Sequence, residues 1–128
     1  MDLYREHILD HYRNPRNYGK MTNPTVAVNE LNPTCGDQLH IELQIAGGKV
    51  ADIKFEGGGC AISLAAASIL TERVTGRSVK EAQAISDKEM LDELGVPLSP
   101  SRTKCGLLAV SGLRRALKQL DKQFVETD

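Results

Sequence analysis

Between Leu39 and Phe55 apolar residues fall near every second position, and after Cys60 they no longer do. Leu39, Ile41, Leu43 and Ile45 alternate with His40, Glu42 and Gln44, and beyond Gly47-Gly48 the run Val50, Ile53, Phe55 stays near the same period. A period of two is that of a strand with one buried face, and a glycine pair between two such runs marks a tight hairpin. Val26 to Leu31 reads as an earlier strand that pairs at the edge, giving three antiparallel strands. Ala61 to Val74 is rich in Ala, Leu and Ile, with Gly76 as its stop. Ser78 and Ser86, each followed three residues later by a glutamate, read as capping boxes that open two short helices, the second ended by Gly95. Val96 to Ser101 carries two prolines and reads as a loop, and Gly106 to Phe124 as a long amphipathic helix. Near the start, Leu3 to Tyr12 suits a short helix stopped by Asn14-Pro15. Strands first and helices afterwards predict an α+β fold: a three-stranded antiparallel sheet with helices packed on one face, in a single domain over residues 1–128.

Charge narrows the function classes. Sixteen basic and 17 acidic residues leave a formal charge of -1, with no basic field to hold nucleic acid. The longest apolar stretch, Ala61 to Leu70, is interrupted by Ser63 and Ser68 and is too short for a bilayer. The first residues lack the basic-then-apolar order of a secretory signal, so a cytoplasmic location and no membrane contact are expected.

Three cysteines, Cys35, Cys60 and Cys105, lie far apart, each beside turn or loop residues. An odd number without a secretory signal argues against a disulfide framework and leaves thiols that are reactive, metal-bound or merely buried. Cys35 sits between Pro33 and Gly36, with Asp37 two residues on; Cys60 follows Gly57-Gly58-Gly59; Cys105 follows the loop that ends in Arg102-Thr103-Lys104. A thiol at a helix start feels the positive end of the helix dipole, which favours the metal-binding thiolate. The three thiols and the Asp37 carboxylate make a candidate site of three sulfurs and one oxygen, suited to tetrahedral zinc or a small iron–sulfur cluster. The rival reading is three buried thiols.

Other residues are weighed against this site. His7 and His11, one helical turn apart, lack the accompanying carboxylate of a zinc-peptidase helix and read as a partly buried face. His40 is close to Asp37 in sequence and is a candidate donor behind the metal ligands, against plain solvent exposure. Arg102 and Lys104 flank Cys105 and are candidates to hold its thiolate by charge. The glycine run before Cys60 lacks the Lys-Ser/Thr ending of a phosphate-binding loop.

Leu9-Asp10-His11-Tyr12-Arg13-Asn14-Pro15-Arg16-Asn17, Asn32-Pro33-Thr34-Cys35-Gly36-Asp37 and Gly58-Gly59-Cys60-Ala61-Ile62-Ser63 together resemble the U-type iron–sulfur cluster assembly scaffolds, the family of IscU, SufU and the N-terminal domain of NifU. The resemblance covers nearly the whole chain. It implies that Cys35, Asp37, Cys60 and Cys105 are ligands and that the chain is a scaffold rather than an enzyme. Such a scaffold takes persulfide sulfur from a cysteine desulfurase and iron from an iron source, builds a 2Fe-2S cluster, and passes it to apo-protein acceptors. IscU-type members carry histidine just before the third cysteine, where this chain has Lys104; an ammonium is no metal ligand. The Arg102-Thr103-Lys104-Cys105 segment is more similar to SufU, which implies the alternative of a zinc-dependent (Zn2+) sulfurtransferase, although the insertion of SufU-type chains between the second and third cysteines is absent. Val96-Pro97-Leu98-Ser99-Pro100 is not the Leu-Pro-Pro-Val-Lys motif that IscU-type chains offer a dedicated Hsp70 chaperone, which argues against that partner. Sulfur is expected on Cys105, which the proline-containing loop before it can carry outward while Arg102 and Lys104 favour its thiolate, with Cys35 as the alternative acceptor.

Overall fold

The computed structural model describes residues 3–33 and 36–126, with side chains described as far as residue 120. The helix α1 (Leu3–Arg13) precedes three strands, β1 (Val26–Asn32), β2 (Asp37–Ala46) and β3 (Lys49–Gly58). Four helices follow: α2 (Ala61–Val74), α3 (Val79–Gln83), α4 (Asp87–Leu94) and α5 (Pro100–Glu126). The strands form one antiparallel sheet in the order β1-β2-β3, as the alternation predicts. Gly47 and Gly48 both have positive φ, 60° and 73°, which a two-residue hairpin turn with the right-handed strand twist requires.

The register stacks the apolar positions. Ile41 faces Val28 on one side and Phe55 on the other, and Leu43 faces Val26 and Ile53; all six are buried. Each such side chain contributes roughly 1.5–3 kcal/mol by leaving water. The alanines of α2 (Ala65, Ala66, Ala67) and the α5 residues Ala109, Val110, Leu113, Ala116 and Leu117 complete this core. Small residues let the helices come close to it. Arg115 fixes α5 to β1 by donating to the Glu30 carboxylate at 2.9 Å and to the Asn29 carbonyl, and the Ser111 hydroxyl donates to Glu30 at 2.9 Å. His11 joins α1 to α2, its Nδ1 lying 2.7 Å from the Ser68 hydroxyl.

Ser78 and Ser86 both cap their helices, but the full capping box forms only at Ser78. Ser78 and Glu81 form both halves of the box, Ser86 accepts the Glu89 N–H at 3.1 Å, and Gly95 ends α4 in the left-handed region. The start of α5 differs from expectation. The loop predicted up to Ser101 stops earlier: Ser99 accepts the Arg102 N–H at 3.3 Å, and Pro100 occupies the first helical position, where a missing N–H costs nothing. Cys105 therefore lies within the second turn of a helix and not on a loop. Among the described residues no helix is long and apolar enough to cross a membrane.

Candidate metal centre

Strand alternation aims Asp37 at the same face as Leu39, Ile41 and Leu43, so its carboxylate is turned toward the helices and is only 3% exposed. The partner strand β3 runs off the sheet at Gly58, and the chain enters α2 through Gly59 and Cys60. Cys60 is the N-cap of α2 with extended backbone, and its thiol makes no capping bond, which leaves the sulfur turned to the site. Capping falls instead to Asp37: its Oδ1 accepts the Cys60 N–H at 3.1 Å. The other oxygen, Oδ2, is 3.5 Å from Cys60 Sγ. A carboxylate at a helix N-terminus is electrostatically favoured as well.

Gly59 makes the approach possible. A Cβ there would sit 2.6 Å from Asp37 Oδ1 and 2.9 Å from Ser63 Oγ, far inside contact distance. Ser63, fully buried, donates its hydroxyl to the Cys60 carbonyl at 3.0 Å and lies 3.9 Å from Cys60 Sγ. From the other side α5 supplies Cys105, 4% exposed.

One ligand atom from each of Asp37, Cys60 and Cys105 falls within 4.8 Å of the others. With zinc–sulfur bonds of about 2.3 Å and zinc–oxygen bonds of about 2.1 Å, a tetrahedral S–O edge is about 3.6 Å and an S–S edge about 3.8 Å. The observed 3.5 Å between Oδ2 and Sγ fits such an edge. Two soft sulfurs and one hard oxygen suit zinc or iron, not calcium or magnesium.

Three of the four expected ligands thus meet. The fourth, Cys35, lies outside the described residues. Its described neighbours Pro33 and Gly36 are exposed, and the Gly36 N–H turns back to the Asn32 carbonyl at 2.8 Å. The structure does not bring His40 to the site. Its Nδ1 lies 2.8 Å from Asn29 Oδ1 and its Nε2 2.9 Å from Glu42 Oε2, on the sheet face opposite Asp37. Glu42, held by the Met21 N–H and by His40, has its carboxyl below the usual range. Arg102 and Lys104 line two separate grooves beside α5. Arg102 shares one with Arg5, Leu9, Ile62 and Leu98, and Lys104 the other with Leu31, Pro33 and Leu107.

His7 and His11 meet edge to face with ring centroids 4.6 Å apart; the buried His11 bonds Ser68 across the helix interface, while His7 is exposed. Sequence reasoning missed the Asp37 to Cys60 N–H bond and the position of Ser63. The signal for Ser63 was its spacing: the third residue after a thiol that starts a helix can reach back to it.

The sequence profile described as NifU-like N terminal domain matches residues 3–126. The chain is 37% identical to the zinc-dependent sulfurtransferase SufU of Bacillus subtilis over 90% of its own length and 89% of that protein's. It is 35% identical to the iron-sulfur cluster assembly scaffold protein IscU of Thermotoga maritima, covering 94% of this chain and 96% of the relative. Among solved structures it is similar to one described as a putative iron-sulfur cluster assembly scaffold protein for the SUF system from Fervidobacterium islandicum. That match has a TM-score of 0.74 at 29% identity over 88% of this chain and 94% of the other.

Proposed function

Because this chain belongs to the NifU-like N-terminal domain family, we propose that it is a scaffold on which a 2Fe-2S cluster is assembled from iron and desulfurase-derived sulfur and from which it passes to apo-proteins. The observation that carries the reading is the meeting of Asp37, Cys60 and Cys105 from β2, the N-cap of α2 and the second turn of α5. Cys35 is the fourth ligand, and the cluster is cargo rather than a resident group. The thiolates of Cys60 and Cys105 supply tightly held donors, while Asp37, a harder and weaker donor to iron, makes one corner easier to open. The partners are a cysteine desulfurase, an iron source and the acceptor proteins, and the setting is the cytoplasm.

Sulfur is placed on Cys35. The expectation of Cys105 rested on a loop that the structure replaces with helix, and a thiol 4% exposed within α5 is a poor target for a desulfurase persulfide. Cys35 stands between exposed Pro33 and Gly36.

The second reading, a zinc-dependent sulfurtransferase, is favoured by the likeness to SufU and by Lys104 before Cys105. Anaerobic incubation with ferrous iron, cysteine and a cysteine desulfurase separates the two. A scaffold gains sulfide-to-iron absorption in the visible region together with acid-labile sulfide. A protein that keeps zinc, stays colourless and only accelerates the desulfurase is the sulfurtransferase.

A further inference from the structure

Ser63 occupies the third position of α2 and is 0% exposed. Its hydroxyl has one proton and two neighbours that can use it. At present the proton goes to the Cys60 carbonyl at 3.0 Å, while Cys60 Sγ turns its own S–H toward acceptors, Asp37 Oδ2 at 3.5 Å and Ser63 Oγ at 3.9 Å. That arrangement belongs to a thiol. A sulfur that binds a metal has lost its proton and can only accept.

The Cys60 carbonyl does not depend on Ser63, because it also receives the Leu64 N–H at 3.3 Å as the first bond of α2. The hydroxyl can therefore rotate about its Cβ–Oγ bond to the sulfur without leaving a buried carbonyl unpaired. Gly59 leaves open the space beside Ser63 Oγ that a Cβ would fill. The second neighbour of Cys60 Sγ, Asp37, cannot take this role: it is itself an acceptor, with Oδ1 committed to the Cys60 N–H.

We propose that Ser63 is a positioning residue of the metal centre, its hydroxyl turning from the Cys60 carbonyl to the Cys60 sulfur when that sulfur takes a metal, and so setting how strongly the sulfur donates. The inference rests on the reading of Asp37, Cys60 and Cys105 as ligands. A hydrogen bond to a ligating thiolate withdraws electron density from it, so removing the donor makes the sulfur a stronger electron source for the metal. The plain alternative is that Ser63 only returns a bond to the carbonyl three residues back, as serines in helices often do.

Cobalt(II) separates these, since its sulfur-to-metal charge-transfer band reports the electron density of the ligating thiolates. The full chain, Ser63→Ala and Ser63→Thr are loaded anaerobically with cobalt(II) and compared by absorption spectrum and by melting temperature. The proposal expects a band at longer wavelength in Ser63→Ala and a band at the parent position in Ser63→Thr, which keeps the hydroxyl. An unchanged band in Ser63→Ala, even with a lower melting temperature, overturns the proposal and leaves the helix-end role. Should the added methyl of Ser63→Thr prevent folding, Ser63→Ala against the parent decides alone. A parent that shows no thiolate-to-cobalt absorption overturns the metal-centre reading itself and the proposal with it.

Discussion

Asp37 serves Cys60 twice, accepting its backbone N–H at 3.1 Å through Oδ1 and standing 3.5 Å from its sulfur through Oδ2. One carboxylate thus opens β2, caps the entrance to α2 and faces the candidate metal position. The two duties separate under substitution.

Asp37→Ala removes both. The part-buried Cys60 N–H loses its acceptor, a cost of about 1 kcal/mol read as a lower melting temperature of the metal-free protein. The weak corner of the centre is also lost, so a reconstituted cluster should persist longer and transfer to an acceptor protein more slowly. Asp37→Asn keeps an oxygen for the N–H and should recover most of the melting temperature while transfer stays slow. Faster cluster loss than in the parent, in either variant, would reject the role given to the second oxygen.

Gly59→Ala places a methyl 2.6 Å from Asp37 Oδ1 and 2.9 Å from Ser63 Oγ. Neither neighbour is the far end of a long chain, so the carboxylate must leave its bond with Cys60. The expected result is a destabilisation of about 1–3 kcal/mol together with a clear fall in zinc bound per chain after dialysis. Parental zinc content would show that Asp37 is not needed in its present place.

His11 predicts a pH dependence. Burial against α2 holds its imidazole below the ordinary value of 6.5, with Arg16 and His7 acting in the same direction and Glu72 and Asp10 opposing them. The unfolded chain takes up the proton first as pH falls, so this term destabilises the fold from about pH 6.5 downward until the folded form also protonates. The melting temperature should therefore drop between pH 7.5 and 5.5. In His11→Asn the drop should be shallower, from a starting point lower by about one buried hydrogen bond, roughly 1 kcal/mol. Parallel profiles for the two proteins would assign the pH response to other groups.

Sulfur delivery is followed by peptide mass spectrometry after incubation with a cysteine desulfurase and cysteine. The persulfide is expected on Cys35, lost in Cys35→Ser and retained in Cys105→Ser. A persulfide mapped to Cys105 in the parent and abolished only by Cys105→Ser would mean that the first turns of α5 open to admit the donor.

The hairpin, the two serine-capped helices and the order of strands before helices were readable because a side-chain period and a cap are local properties. The start of α5 was not, since proline marks a loop and a first helical turn alike, and only the Ser99 bonds distinguish them. His40 shows a rule applied to the hairpin and not carried through to the site. It lies three positions after Asp37, an odd offset, and alternation along β2 places the two on opposite faces however near they are in sequence. The Asp37 to Cys60 bond spans 23 residues and exists only once the strand register and the glycine exit from β3 are fixed.

The three described candidate ligands come from the first residue of a strand, the N-cap of one helix and the second turn of another, at one end of the shared core. A metal held by them would act as a removable staple, closing chain segments that otherwise keep part of their freedom. Load would then be written in the stiffness of the scaffold: amide exchange in the first turns of α2 and α5 would slow when cargo is aboard and quicken when it leaves.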